Sequence, residues 1–586
     1  MKKYLLIPSL ILSLAVSIGF GVLKQQSDFL ILLTKQLAQY QKVASEEKTY
    51  LHVDRSFYTV GDDIWFKGYL LDGTSHAFSQ LSDLVYVELL SPKGNVLAKL
   101  KLPVNSGIYH GDFALPANAP GGIYQVLAYT EWMKNAGEET FFRKKIQVQN
   151  VVIPRLLMTM DFQQKAYGPG ATVHADLSIR DLQDQPIART SFDITAAING
   201  KTYLTKTLQT DKEGKAVITF NLPENLQSND GLLALKFNYE GTYESISRSI
   251  PIVLNNIDLQ FFPEGGNLLA NQQNRVAFKA INEFGKGADV SGEILDSEGN
   301  VVTTFESYHM GMGSVSFTPN AAEQYVAKIT APVQLAKQYA LPKSNQQAYG
   351  LALSERSSKG LIFNYFTPNN EAVNVVAQVR GKVYDAQTIR ATKGMNQLTI
   401  PIHDFPTGIA QITLFNAAGQ PQCERLAFVN ANKKLNVSLQ TDKKEYEPRE
   451  KVELSIRTTD HLGKPVPTNL SLAVVDDKIV SFADDKQDHI LSWMLMSSDL
   501  KGTVEEPSFY FKSDEPKAAQ ALDLVMMTHG WRRFNWKEIT SKNIKLAHTA
   551  ETFDVIQGQL VQHQSHRPIA GKVYLIEMEE EGRMVE

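Results

Sequence analysis

Tyr58-Thr-Val-Gly61-Asp-Asp-Ile64-Trp-Phe66-Lys-Gly68-Tyr-Leu70-Leu-Asp72 is written twice more in this chain. The other copies are Tyr167-Gly-Pro-Gly170-Ala-Thr-Val173-His-Ala175-Asp-Leu177-Ser-Ile179-Arg-Asp181 and Tyr446-Glu-Pro-Arg449-Glu-Lys-Val452-Glu-Leu454-Ser-Ile456-Arg-Thr-Thr-Asp460. In each, a turn follows the Tyr, an apolar residue six positions on starts a strand, and an Asp lies fourteen after the Tyr. Period-two alternation sets one face of that strand on a core and leaves the other wet. The closing Asp belongs to the next turn, Asp-Leu-Gln-Asp-Gln-Pro186 or Asp-His-Leu-Gly-Lys-Pro465, since Asp, Gly and Pro are the residues that turns demand. Self-similarity over about a hundred residues is the mark of a domain array, because solenoid periods are shorter. Tandem antiparallel β-sandwiches close such strands.

Composition narrows the class. A length of 586 residues accommodates roughly three to six domains. Lys+Arg 59 against Asp+Glu 63 leaves no basic footprint for nucleic acid. Cys423 is the single cysteine, so an intramolecular disulfide and a cysteine-built zinc site are both excluded.

Lys2 and Lys3 precede an apolar run from Tyr4 to Leu23, and Lys24 follows it. Residues 1–24 therefore read as a signal peptide or signal anchor, with membrane association through residues 4–23. The expected location is extracytoplasmic: periplasm, outer membrane or cell surface. No Cys follows the run, which argues against a lipid anchor. Residues 25–47 read as a helical spacer, with Ser27 and Asp28 as cap and Phe29, Leu30, Leu33, Leu37 and Tyr40 on one face.

Five sandwich-like units are expected, over residues 48–150, 151–256, 257–345, 346–433 and 434–550, with an incomplete further sandwich over 551–586. The third contains Phe261-Phe-Pro-Glu-Gly-Gly266 and a strand at Asn274–Ile281; the fourth ends in Glu424-Arg-Leu-Ala-Phe-Val-Asn430. In the fifth, Leu470-Ser-Leu-Ala-Val-Val-Asp476 predicts a strand, followed by a helical insertion near 485–530. Its last helix has Asp514 as N-cap, Pro516 in the first turn and Gly530 as the stop.

Chemistry-bearing motifs are sparse. Ser314, in Gly311-Met-Gly313-Ser314-Val, lacks the second glycine of a nucleophile elbow and reads as a hairpin residue. His563 and His566 sit in a polar loop and read as chance neighbours rather than a metal pair. Asp476, Asp477, Asp484, Asp485 and Asp488 lack the alternating ligand spacing of a calcium loop. No catalytic, cofactor-binding or metal-ligating residues are therefore assigned, and the chain reads as a non-enzyme. His529-Gly-Trp531-Arg532-Arg533-Phe534-Asn-Trp536 admits two readings. Trp531, Arg532, Arg533 and Trp536 are the residue types of a partner-binding hot spot. The same alternation suits a segment packing a helix onto a sheet, with arginine stems covering apolar surface. Cys423, in a strand-like run, reads as a buried apolar residue.

Leu51-His-Val-Asp-Arg-Ser-Phe-Tyr58-Thr-Val-Gly-Asp-Asp-Ile-Trp-Phe-Lys67, Gly121-Gly-Ile-Tyr-Gln-Val126 and Ser471-Leu-Ala-Val-Val-Asp476 resemble the macroglobulin domains of the alpha-2-macroglobulin family. Phe262-Pro-Glu-Gly-Gly266 and Thr528-His-Gly-Trp-Arg-Arg-Phe534 are closer to large bacterial envelope proteins. In those, macroglobulin-like domains precede a carboxypeptidase-regulatory-like sandwich and often the plug of a TonB-dependent receptor. The resemblance implies an all-β fold of tandem macroglobulin-like (immunoglobulin- or fibronectin-like) antiparallel β-sandwiches. It departs from the family where covalent chemistry resides: thioester members carry Cys-Gly-Glu-Gln, whereas Cys423 is followed by Glu424-Arg425. Two functions follow from it. One is a non-catalytic, modular cell-envelope binding or scaffold protein, accessory to outer-membrane uptake or surface assembly, whose sheet edges accept a protein partner. The other is an endopeptidase inhibitor acting without a thioester, with a protease as partner and Ser481–Glu515 as bait.

Overall fold

The structure, a computed structural model, describes residues 27–149, 156–164, 167–226, 228, 230–252, 256–282, 285–332, 334–357, 359–475, 487–530, 536, 539, 546–552, 561–562, 571, 575–577 and 583–585. The expected signal segment, the Asp476–Asp485 acids and the His563/His566 pair lie outside these residues, as do most of residues 553–574.

One register governs the three Tyr-led openings. Each sheet begins with an antiparallel pair flanking the turn, and Leu51 faces Gly68, Met160 faces Leu177 and Leu439 faces Ile456. These partners stand seven before and ten after their Tyr, so the sequence repeat is also a repeat of pairing. The Tyr has a mechanical role. Its hydroxyl accepts from the backbone N–H three residues earlier, at Arg55, Gln164 and Lys443, which closes the connection between the strands. The terminal Asp makes an Asx turn: Asp181 Oδ1 accepts from the N–H of Gln183 and Gln185, and Asp460 Oδ1 from those of Leu462 and Lys464.

In the first four units a third strand joins the opening pair, at Ile108–Ala114, Lys215–Asn221, Met312–Phe317 and Gly394–Ile400. A second antiparallel sheet covers their apolar faces, such as Lys382–Ala391, Glu371–Val379, Gly408–Phe415 and Pro421–Val429 in the fourth unit. Four separate cores result, around Tyr58 and Val87, Leu177 and Leu235, Phe278 and Ile294, and Phe363 and Ile412. Over the described residues the architecture is all-β, with antiparallel sandwiches in tandem through the first four units.

The fifth opening continues differently. Among the described residues it consists of the hairpin Asn436–Thr441 with Leu454–Thr459, and the strand expected at Leu470–Asp476 is absent over 470–475. That stretch instead leans on the first unit, where His52 Nδ1 meets Ser471 Oγ at 2.8 Å and Lys67 Nζ donates to the Leu470 carbonyl at 2.8 Å.

Two helices were legible in sequence, but their partners were not. Asp28–Val43 is capped by Ser27, whose Oγ accepts from the Leu30 N–H. It is not a free spacer: Leu30, Leu33 and Leu37 are buried against Val376, Ala386 and Phe415 of the fourth unit's outer sheet. Each such burial contributes roughly 1.5–3 kcal/mol, which explains why the helix docks. Ala518–Thr528 starts after Lys517 without a side-chain cap, so Asp514 does not cap it. Its apolar face packs on the third and fourth units through Leu524, Val525 and Met526. Between them Ile490–Leu495 anchors on the first unit: Trp493 Nε1 donates to the Thr49 carbonyl at 2.8 Å, and its ring meets Phe142 edge-on. The helical segment is thus a staple across three units. Among the described residues no helix is long and apolar enough to cross a membrane.

Candidate functional site at the junction of the third and fourth units

Arg425, in the strand Pro421–Val429, is the largest fully buried side chain among the described residues. A buried guanidinium is tolerable only when each face of its fork is paired. Its Nε donates to Glu264 Oε1 at 2.7 Å, from the turn that opens the third unit. A second nitrogen donates to Asp523 Oδ1 at 2.8 Å, on the helix Ala518–Thr528, and the remaining one to the Leu426 carbonyl. Asp523 also accepts from Arg275 of the third unit at 2.8 Å and pairs with Arg356 of the fourth at 3.5 Å. Burial pushes the Asp523 carboxyl upward, but the Arg425 and Arg275 guanidiniums outweigh it and hold it below the usual carboxylate range.

Pro263-Glu264-Gly265-Gly266 is shaped by the same junction. Glu264 Oε1 additionally accepts from the Leu353 N–H at 3.0 Å. Gly265 has φ +77°, and a Cβ there would lie 2.5 Å from the Leu351 carbonyl oxygen. Only glycine permits that approach of two units.

Thr528-His529-Gly530 reaches the opposite wall. A cleft of about 310 Å³ runs between Pro263–Gly266, Glu424–Leu426 and His529–Gly530, so two motifs far apart in sequence line one surface. His529 is 8% exposed. Its Nδ1 lies 3.3 Å from the Val525 carbonyl and its Nε2 2.9 Å from Lys279 Nζ. This network assigns the proton to Nδ1 and makes Nε2 the acceptor of the lysine's hydrogen bond. Burial, reinforced by Lys279, lowers the imidazole pKa to about 4, so it is neutral at pH 7. Burial likewise lowers the Lys279 ammonium and raises the Glu424 carboxyl.

Trp531, Arg532 and Arg533 lie outside the described residues. Trp536 is buried, its ring 5.0 Å from Phe415 and its Nε1 donating to Thr413 Oγ1 at 3.2 Å. It shares a core with the N-terminal helix. Ser314 lies in the strand Met312–Phe317, within 3.4 Å of Arg275 Nε. Cys423 is buried, and burial pushes its thiol well above the ordinary range. Asp488 accepts from Ser497 Oγ at 2.8 Å. Among the described residues no group of three or more His, Cys, Asp or Glu is placed to hold a metal ion.

Sequence reasoning missed the clamp of Arg425, Glu264 and Asp523. The available signal was a Glu-Arg pair inside an apolar strand, since an unpaired charge there is costly.

Residues 48–148 match the MG2 domain family. No curated protein matches the chain. Among solved structures, it is similar to the native conformation of Escherichia coli alpha-2-macroglobulin: 12% identity, over 72% of this chain and 32% of that one, TM-score 0.31. It is similar to trypsin-activated alpha-2-macroglobulin from Escherichia coli at 14% identity, over 71% and 33%, TM-score 0.36. It is also similar to the Escherichia coli adhesin FdeC at 10% identity, over 52% of this chain and 98% of that one, TM-score 0.18. The chain spans about a third of the length of the two macroglobulin structures. The MG2 match covers the first unit.

Proposed function

We propose that this macroglobulin-like chain is a non-catalytic binding and spacing protein of the cell envelope, accessory to uptake or surface assembly at the outer membrane. The observation that carries the reading is the clamp. Arg425, Glu264 and Asp523 join the third unit, the fourth unit and the helical segment. The buried pair of Lys48 and Asp499, 2.7 Å apart, joins that segment to the first unit. These cross-links tie the first, third and fourth units to one helical segment, and units so tied present sheet edges at fixed separations.

The inhibitor alternative needs an accessible bait. Within Ser481–Glu515, residues 487–515 include the helix Ile490–Leu495 and place Trp493, Met494, Met496, Leu500 and Tyr510 in cores. Gln487 is held on both its amide atoms by the Lys145 backbone. This folding supports the scaffold reading. Incubation with proteases of several specificities tests it, by following cleavage of the chain and protease activity on large and small substrates. Undiminished activity on large substrates is expected. Loss of that activity alone, coupled to a cut between 481 and 515, would replace the scaffold with an inhibitor.

A further inference from the structure

We infer that the fifth opening is a strand-acceptor site, which takes an extended peptide of defined charge pattern beside Leu454–Thr459. The inference deepens the binding reading and rests on it.

The second unit is the template, because its pairing register is reproduced residue for residue. Met160 faces Leu177 and Met158 faces Ile179 there; Leu439 faces Ile456 and Val437 faces Thr458 in the fifth. Even the following turn agrees, with the Ile187 N–H donating to the Ile179 carbonyl and the Val466 N–H to the Thr458 carbonyl. What differs is the covering. Met160, Leu177 and Val173 are at most 2% exposed, whereas Leu439, Ile456 and Val452 are 58%, 41% and 52% exposed.

In each of the first four units the second strand is flanked on both sides, whereas among the described residues 454–459 has only 436–441 as a partner strand, besides the bridge of Thr459 to Pro465 in the turn that follows. In the second unit the outer flank is Lys215–Asn221, antiparallel, with Ala216, Ile218 and Phe220 opposite Leu177, Ala175 and Val173. The corresponding positions in the fifth are Ile456, Leu454 and Val452. An incoming strand therefore presents apolar side chains at every second position to a ready apolar face, while its backbone completes the ladder.

Charge selects among such strands. On the wet face the corresponding edge positions are Arg457, Ser455, Glu453 and Lys451, all exposed. An antiparallel partner meets Arg457 first, so it fits best with an acid there, a base opposite Glu453 and an acid opposite Lys451. The occupant is thus an extended segment of the pattern acid, apolar, neutral, apolar, base, apolar, acid.

The test is titration of the whole chain with the peptide Ser-Gly-Glu-Ala-Val-Ile-Lys-Phe-Glu-Gly-Ser and with its charge-inverted form, Ser-Gly-Lys-Ala-Val-Ile-Glu-Phe-Lys-Gly-Ser. Fluorescence anisotropy and backbone hydrogen exchange are the readouts. The first peptide is expected to bind more tightly and to protect the amides of Leu454 and Ile456, which point to the open edge because those of Glu453, Ser455 and Arg457 face 436–441. Val452→Lys and Ile456→Lys, at positions already exposed, are expected to weaken it by about tenfold or more without lowering the melting temperature. Three results would overturn the inference: no binding or binding indifferent to these substitutions; amides of Leu454 and Ile456 already protected in the free chain; or a dimer abolished by the same substitutions, which would assign the face to a second copy. None of these bears on the protease test, so failure here and failure of the scaffold reading are distinguishable.

Discussion

The Tyr58 hydroxyl donates to Asp54 Oδ1 at 2.7 Å, and that oxygen also accepts from the Trp65 N–H at 3.0 Å. Tyr446 and Asp442 repeat the arrangement, with the Glu453 N–H as third member. In the second unit, where Gln163 replaces the Asp, the Tyr167 hydroxyl donates to the His174 carbonyl instead. The repeated Tyr is therefore a staple across the first two strands, which is why it heads the motif. Tyr58→Phe removes a buried hydroxyl that bonds both the Asp54 carboxylate and the Arg55 N–H, and is expected to cost about 1–3 kcal/mol in urea unfolding. Tyr446→Phe, whose Asp442 partner faces solvent, is expected to cost much less. Equal losses at both positions would refute this account.

Arg425→Met leaves Glu264 and Asp523 buried without their shared cation. A loss of about 3–5 kcal/mol is expected, read by chemical denaturation. Arg180→Met removes an exposed pair with Asp184 and is expected to change stability by less than about 1 kcal/mol. If the two variants were equally mild, the clamp would not hold the units together.

His529 gives stability a pH slope of known sign. Its folded pKa of about 4 lies below the ordinary 6.5, so between these values the unfolded chain binds a proton that the folded chain refuses. Stability therefore falls as pH drops from 6.5 to about 4, by roughly 3 kcal/mol. Asp523 acts lower, because its depressed carboxyl loses its contribution only as pH falls below the ordinary carboxylate range. The difference between wild type and His529→Gln isolates the histidine. An unchanged slope in that variant would show that the imidazole is not held neutral.

Leu33→Ala opens a cavity where the N-terminal helix meets the fourth unit. The expected cost is about 2–5 kcal/mol, with earlier proteolysis of residues 28–43. A freely projecting helix would lose neither stability nor protection.

Cys423, buried beside Glu424 with its thiol raised, is expected to resist thiol reagents until denaturant unfolds the fourth unit. Rapid labelling under native conditions would contradict its placement.

Local patterns revealed the β class, the openings at Tyr58, Tyr167 and Tyr446, the helix starting at Ser27 and the burial of Cys423. All depend on alternation, turn chemistry and capping, which act within a few residues. The clamp was not legible in that way, because Arg425, Glu264 and Asp523 come from three distant segments. Nor was the docking of Leu30, Leu33 and Leu37: an amphipathic helix announces that it must cover something, and the surface it covers is chosen elsewhere in the chain.

By itself the sequence determined the repeat. The Tyr, the turn, the alternating strand and the Asp dictate one pairing register, because side chains alternate with period two and a slip of one residue would expose the apolar set. Only the tertiary structure decided what lies against each repeat: a second sheet in the first four units, a helical staple between units and, among the described residues, an open edge at the fifth. The physical reason is that burial is non-directional, so an apolar face specifies that it be covered without specifying by what.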